Sequence, residues 1–373
     1  MEKRIRLCLA VSLCLAVVGP VSALTYDDNI VYRPVGGMWY LSENPQPYVP
    51  GTAPVTSSAQ WGGGASDVPM VGDVNGDGLD DVVIARQSGV DKNDWLAGHT
   101  NATTGQIGSQ SFPSPDSSYT GLGTYSGNLG RFLEDVTGDG IDDVIVINGP
   151  TNWNWSVLPS GAGGIGTGAP KHSVVQFGLV GDQAIMGDFD GDGYTDQGVY
   201  RQAGGNILWS SSAGGVLGGA GGLGPIGQIG GAATDSLLIG ELNGDAFDDA
   251  VMVRQDGAGL MQWFGLINDG TGHLDYFNPG TTIVNFGLDN GGDIPFLQDI
   301  NGDGMDDIGI SRGAAHYVTY TTAGGALGTN GAGDTNWAFG LATDVQMFGD
   351  FTVPEPATML LLAFGGLLMR RRR

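Results

Sequence analysis

Five nine-residue stretches of this chain are dense in carboxylates: DVNGDGLDD from Asp73, DVTGDGIDD from Asp135, DFDGDGYTD from Asp188, ELNGDAFDD from Glu241 and DINGDGMDD from Asp299. Oxygen-bearing side chains fall at positions 1, 3, 5 and 9 of each, and glycine holds position 6 in four of the five. Alternate residues of a tight loop can converge on one point. A hard cation such as Ca2+ takes about six to eight oxygens there, at roughly 2.3–2.6 Å. Position 7 would add a backbone carbonyl, and glycine at position 6 permits the positive φ that the reversal needs. Without a cation, carboxylates packed this closely repel one another and lose hydration at heavy cost. One such turn alone would read as an ordinary solvated Asp/Asn/Gly turn. Five in register, each followed by an apolar run, read as a repeated metal loop. An EF-hand is excluded, because position 12 is Ile84, Val146, Val199, Met252 or Ile310 where that motif needs Glu.

The segments that must position these loops are short and β-branched: VVIAR, VIVIN, GVYRQ, AVMVR and IGISR follow the five loops directly. Loop starts are spaced 62, 53, 53 and 58 residues apart, a period that points to a propeller, solenoid or array. Other residues recur in phase. Arg86, Arg201, Arg254 and Arg312 close the strand after a loop, with Asn148 in the second unit. An aromatic marks the next strand at Trp95, Trp153 or Trp155, Trp209, Trp263 and Tyr317. Trp61-Gly62, Phe177-Gly178, Phe286-Gly287 and Phe339-Gly340 precede the following loop. Four short strands per unit is the content of one propeller blade.

The chain ends supply split halves of a further unit, 28–40 carrying Arg33 and Trp39, and 335–351 ending in Gly349-Asp350. The expected fold is therefore all-β: a β-propeller of six four-stranded blades over residues 24–352, closed by pairing N- and C-terminal strands. Closure of this kind removes exposed sheet edges. No strong metal site is expected where the sixth loop is broken between Asp350 and Asp27/Asp28. The phased tryptophans are expected to pack between blades, and the phased arginines to pair with an Asp of the neighbouring blade.

A formal net charge of −25 excludes nucleic acid and anionic lipid as natural partners. Half of the acids between Leu24 and Val353 lie inside the five loops, 20 of 38, so the excess is concentrated at candidate metal sites and not in a disordered tail. Residues 1–23 read as a secretory signal peptide: Lys3, Arg4 and Arg6, then the apolar run Leu7–Val18, then Val21-Ser22-Ala23. Both cysteines, Cys8 and Cys14, fall inside it, so no disulfide can staple the mature protein. At the other end, residues 353–373 hold a 13-residue apolar stretch, Ala357–Met369, and four arginines. As a helix that stretch is about 20 Å long against a hydrocarbon core of roughly 30 Å, which fits transient membrane insertion better than a permanent anchor.

Two resemblances follow from these residues. Val353-Pro354-Glu355-Pro356, the apolar stretch and the Arg cluster closely resemble the PEP-CTERM sorting signal. That resemblance implies processing by an exosortase-type protease, and localisation at the envelope surface or in the extracellular matrix of a Gram-negative-type bacterium. The loops with their flanking strands resemble FG-GAP/VCBS-type repeats of integrin-α-like propellers over nearly all of 27–351. Carried onto this chain, the family's calcium ligands are Asp73, Asn75, Asp77, the Leu79 carbonyl and Asp81 in the first loop. The second gives Asp135, Thr137, Asp139, the Ile141 carbonyl and Asp143, and the third Asp188, Asp190, Asp192, the Tyr194 carbonyl and Asp196. The fourth gives Glu241, Asn243, Asp245, the Phe247 carbonyl and Asp249, and departs most, with Ala246 in the glycine position. The fifth gives Asp299, Asn301, Asp303, the Met305 carbonyl and Asp307.

No Gly-x-Ser-x-Gly elbow, His-Glu-x-x-His or P-loop is present. The expectation is an exported, calcium-binding propeller acting as a binding or matrix-scaffold protein, with an extracellular polysaccharide or a surface protein as partner. The alternative is a propeller enzyme acting on polysaccharide, for which 98–120 and 269–275 are the segments outside the repeat pattern.

Overall fold

The computed structural model describes residues 26–43 and 50–351, apart from 89–92, 109–114, 123–127, 150, 169–172, 214–215, 219–223, 225–226, 256, 258, 275–281, 290–291 and 329–332. The expected signal peptide (1–23) and the apolar tail with its transient membrane insertion (353–373) lie outside the described residues.

Strands pair with their sequence neighbours almost throughout. β1 (Asp28–Arg33), β2 (Met38–Ser42) and β3 (Ser57–Gln60) form three strands of one sheet. Blade 1 is β4 (Val68–Gly72), β5 (Asp81–Gln87), β6 (Asn93–Gly98) and β7 (Ser117–Thr120). Blade 2 is β8 (Asn128–Glu134), β9 (Asp143–Asn148), β10 (Asn152–Leu158) and β11 (Ser173–Leu179). Blade 3 is β12 (Gln183–Gly187), β13 (Asp196–Arg201), β14 (Asn206–Ser210) and β15 (Gly227–Gln228). Blade 4 is β16 (Asp235–Gly240), β17 (Asp249–Arg254), β18 (Leu260–Leu266) and β19 (Thr282–Leu288). Blade 5 is β20 (Ile294–Gln298), β21 (Asp307–Arg312), β22 (Ala315–Thr319) and β23 (Thr335–Ala338). Finally β24 (Val345–Gly349) pairs antiparallel with β1, Asp28 opposite Gly349, and completes blade 6. The six-bladed propeller is thus closed by its two chain ends, as the split halves imply.

The second strand of every blade is a continuous apolar run for a physical reason. Its first five residues are all buried in β1, β5, β9, β13, β17 and β21, because a neighbouring blade packs on each face. A sheet covered on both sides loses the alternation of a half-exposed strand. The apolar interior is accordingly six clusters, one per blade junction.

The tryptophans act at those junctions. Trp39, Trp95, Trp155 and Trp263 are fully buried, and each sits opposite the fifth residue of its blade's second strand: Tyr32, Ala85, Ile147 and Val253. Three donate their indole N–H to the carbonyl of an aromatic-Gly pair: Trp39 to Trp61, Trp155 to Phe177 and Trp263 to Phe286, at 2.7–2.9 Å. The glycine beside that carbonyl has φ between +76° and +99° in Gly62, Gly178, Gly287 and Gly340. A methyl group there would run into Ile84, Val199, Ile310 and Val31 of the next blade. Two aromatic assignments are corrected. In blade 3 the phased position is Ile207, with Trp209 two residues further along. In blade 5 it is His316, opposite Ser311, and not Tyr317.

Candidate metal centres

Each carboxylate loop joins the first and second strands of its blade, so all five emerge at the same end of the strands. The position-1 carboxylate folds the loop around itself. Asp73 accepts from the amides of Gly76 at 2.6 Å and Gly78 at 2.8 Å. Asp135, Asp188 and Asp299 do the same with Gly138 and Gly140, Gly191 and Gly193, and Gly302 and Gly304. Position 5 accepts from the amide of position 7: Asp77 from Leu79, Asp139 from Ile141, Asp192 from Tyr194, Asp245 from Phe247 and Asp303 from Met305. Position 9 is buried and splits its oxygens. One oxygen of Asp81, Asp143, Asp196, Asp249 and Asp307 accepts from the amide of Thr100, Ser160, Ser212, Asn268 and Thr321, at 2.6–2.8 Å. Those residues follow the third strand, so each carboxylate ties its loop across the blade.

The other oxygen faces the loop. For Asp81 it accepts from the Asn75 amide group, and for Asp143, Asp196 and Asp249 from backbone amides of their own loops. Oxygens at three ligand positions are buried and have no hydrogen-bond partner: Oδ1 of Asp190, Oδ1 of Asn243 and Oδ2 of Asp307. Asp188, Asp190 and Asp196 bring one carboxylate oxygen each within 4.8 Å of one another. This is the one such acidic group among the described residues. Burial, together with the neighbouring carboxylates, pushes Asp81 up to about 9, Asp143 to about 7, and Asp196, Asp249 and Asp307 to about 8, against the pull of the capping amides. Orphaned oxygens and carboxyls driven toward neutrality are what a hard cation would relieve, so the residues present fit one. They would hold it through the side chains at positions 1, 3, 5 and 9 and the position-7 carbonyl.

The fourth loop departs as its sequence suggests. Ala246 has φ +128° and is the one non-glycine residue with positive φ among the described residues. Its amide reaches Glu241 only at 3.3 Å, where the position-6 glycines approach to 2.7–2.8 Å.

Sequence reading missed how the loops lock to one another. Position 8 of each loop docks on position 1 of the preceding blade. Asp142 donates its amide to the Asp73 carbonyl, Thr195 to Asp135, Asp248 to Asp188, Asp306 to Glu241, Asp80 to Asp350 and Asp27 to Asp299. In four of these pairs the position-8 carboxylate also accepts the position-1 amide: Asp188 to Asp248, Glu241 to Asp306, Asp299 to Asp27 and Asp350 to Asp80. Six junctions make an unbroken ring. Within it the split sixth loop keeps positions 1, 8 and 9 as Asp350, Asp27 and Asp28, with Phe351 donating its amide to Asp28. Position 4 is glycine in all five loops, and at four of them a methyl group would collide with the side chain roofing it from the next blade: Ile141, Tyr194, Phe247 and Tyr26. The available signal was the acid at position 8 in four copies and the glycine at position 4 in all.

At the opposite end of the strands the arginines form bidentate ion pairs. Arg33 holds Asp344, Arg86 holds Asp67, Arg201 holds Asp182, Arg254 holds Asp235 and Arg312 holds Asp293, through Nε and Nη2 at 2.6–2.9 Å. The Asp lies at the start of the same blade, just before its first strand in four cases and as the first residue of that strand for Asp235, which corrects the expectation of a neighbouring blade's Asp. In the segment 98–120, His99 Nε2 lies 3.0 Å from Ser117 Oγ. That hydroxyl is buried and also accepts the Ile165 amide, while Asp116 binds the His99 backbone and not its ring. In 269–275, Asp269 and His273 pair at 3.8 Å. Asp269 also accepts from the exposed Thr271 hydroxyl.

The described residues thus define a six-bladed propeller with five acidic inter-strand loops. Residues 352–373 match the PEP-CTERM protein-sorting motif, a signal recognised by exosortase processing. It implies export to the cell envelope or surface in Gram-negative bacteria. No curated protein matches the chain. Among solved structures, the chain is similar to an Agrocybe aegerita lectin described as recognising non-reducing terminal N-acetylglucosamine. The identity is 17%, the TM-score 0.50, and the match covers 88% of this chain and 96% of the lectin. A Photorhabdus luminescens Tc holotoxin pore structure matches at 13% identity and TM-score 0.40, over 76% of this chain and 12% of that one. The lectin likeness bears on the fold alone.

Proposed function

We propose that this protein is a calcium-stabilised propeller of FG-GAP/VCBS type, displayed at the cell surface as a binding or matrix-scaffold protein. The observation that carries the calcium reading is the third loop, where one oxygen each of Asp188, Asp190 and the buried Asp196 lie within 4.8 Å of one another and Asp190 Oδ1 has no hydrogen-bond partner. A divalent cation would supply the positive charge that these loops lack, holding each first strand to its second next to the junction with the adjoining blade. The PEP-CTERM tail supports the surface role, and the lectin's printed specificity makes glycans the first ligand class to test. Thermal melting in excess EGTA and in millimolar calcium checks the cation. A cation at 100 times its dissociation constant contributes about 2.7 kcal/mol per independent site, so the calcium melt is expected well above the EGTA melt. Superimposable melts would remove calcium from the account.

A further inference from the structure

Two clefts open between blades at the end of the strands that carries the arginines. One, of about 370 Å³, lies between blades 2 and 3 and is lined by Asn152, Gln176, Gly178, Leu179, Arg201 and Leu208 among others. The second, of about 430 Å³, lies between blades 5 and 6 and is lined by Arg33, Tyr40, Thr52, Val55 and Gly340 among others. Their linings share part of the repeat pattern. Gly178 and Gly340 are the glycines of the aromatic-Gly pairs, Arg201 and Arg33 close the second strand, and Leu208 and Tyr40 sit opposite Val199 and Val31. The shared positions follow from the blade architecture, while Gln176 is matched by Ala338, and Asn152 in one cleft and Thr52 and Val55 in the other are particular to their own junction.

We infer that these two clefts each bind a neutral pyranose residue of an extracellular glycan. The inference rests on the surface-binding reading above and gives it a site. Their volumes fall at the low end of the usual range for small-ligand pockets, about 300–1,000 Å³. Each cleft combines an apolar wall for the C–H face of a sugar with groups suited to its hydroxyls. Leu179 and Leu208 supply the wall in one cleft, Val55 and the Tyr40 ring in the other. The amides of Asn152 and Gln176, and the hydroxyls of Thr52 and Tyr40, both donate and accept, as a polyhydroxylated ligand requires. Charge selects against an acidic ligand. Arg201 and Arg33 already hold Asp182 and Asp344 through two nitrogens each, Arg33 also donates Nη1 to the Tyr40 hydroxyl, and the whole chain carries −25. A phosphate or uronate would meet neutralised guanidinium groups on a strongly negative protein.

The test uses the secreted, processed protein in millimolar calcium on an array of neutral and acidic glycans, followed by calorimetric titration with the best neutral sugar. Two sites per chain are expected. Gln176→Trp and Val55→Trp place bulk at the cleft mouths from exposed positions. Each is expected to reduce the stoichiometry from two to one without moving the melt, and the double variant to abolish binding. Undiminished binding by the double variant, binding confined to acidic glycans, or binding to none of the neutral glycans would overturn the inference. In the last case a melt that still responds to calcium leaves the calcium reading standing. A melt indifferent to calcium with sugar binding intact removes calcium alone.

Discussion

The two ends of the propeller treat buried carboxylates in opposite ways. At one end Asp67, Asp182, Asp235, Asp293 and Asp344 each meet a guanidinium from their own blade. At the other, Asp81, Asp143, Asp196, Asp249 and Asp307 meet amides on one side and further carboxylates on the other. The acids respond accordingly. Burial alone would raise Asp235 and Asp293, but the arginine fork and backbone amides hold both below the ordinary carboxylate value. The position-9 acids have no such partner and are pushed up to about 7 to 9. One end is neutralised by the chain itself, while the other is where, on the proposal above, charge would come from outside.

That contrast is broken most sharply by removing one member from each end. Arg254→Ala leaves the buried Asp235 carboxylate uncompensated. With Arg254 itself 27% exposed, the expected loss is about 2–3 kcal/mol, discounted for solvent from the fully buried case, and equal in calcium and in EGTA. Asp196→Asn keeps an acceptor for the Ser212 amide, gives up the one offered to the Phe189 amide and removes one candidate ligand. The lost hydrogen bond lowers stability in both buffers, and the expected loss is about 2 kcal/mol larger in calcium than in EGTA. Equal losses in both buffers for Asp196→Asn would erase the distinction between the two ends.

The pH dependence separates the ends next. A carboxyl raised in the folded state binds a proton that the unfolded chain has already released. Its contribution is complete below the unfolded value of about 4 and is lost as pH rises through about 7 to 9. In EGTA, stability should therefore fall between pH 5 and pH 8, and calcium should flatten or reverse that slope. Asp235 and Asp293 carry the opposite sign: their contribution is present above pH 4 and lost on acidification, with or without calcium. Chemical denaturation across that range in both buffers reads the two slopes. Stability rising with pH in EGTA would contradict the assignment.

The smallest expected effect lies within the acidic end. Ala246→Gly relieves a positive φ that costs an L-residue about 1–2 kcal/mol, offset by the greater freedom glycine gains on unfolding. A net gain of roughly 0.5–1 kcal/mol is expected, together with tighter calcium binding by the fourth loop. A destabilised Ala246→Gly would mean that the strain is not real.

Much of this was legible in the chain because the fold is a repeat. The loop period, the four strands per unit and the split halves at 28–40 and 335–351 led to six blades and their closure. What stayed hidden was contact between units. Position 8 meets position 1 of the preceding loop some 60 residues away, and nothing in Asp248 alone announces Asp188 as its partner. The arginine was placed in its phase but given the wrong blade, since its Asp sits where one blade gives way to the next and reads equally as part of either. His316 was passed over because a histidine does not look like a tryptophan. Yet it is fully buried, stacks on Trp337 at 5.1 Å and hydrogen-bonds Ser311, and burial lowers it to about 4.

The central claim is that the acidic end requires a divalent cation. Equilibrium dialysis of the chelated protein against calcium at neutral pH tests it most directly. Saturable uptake of several ions per chain, falling by one in Asp196→Asn and unchanged in Arg254→Ala, is the predicted result. No saturable uptake, or uptake that Asp196→Asn leaves intact, would contradict it.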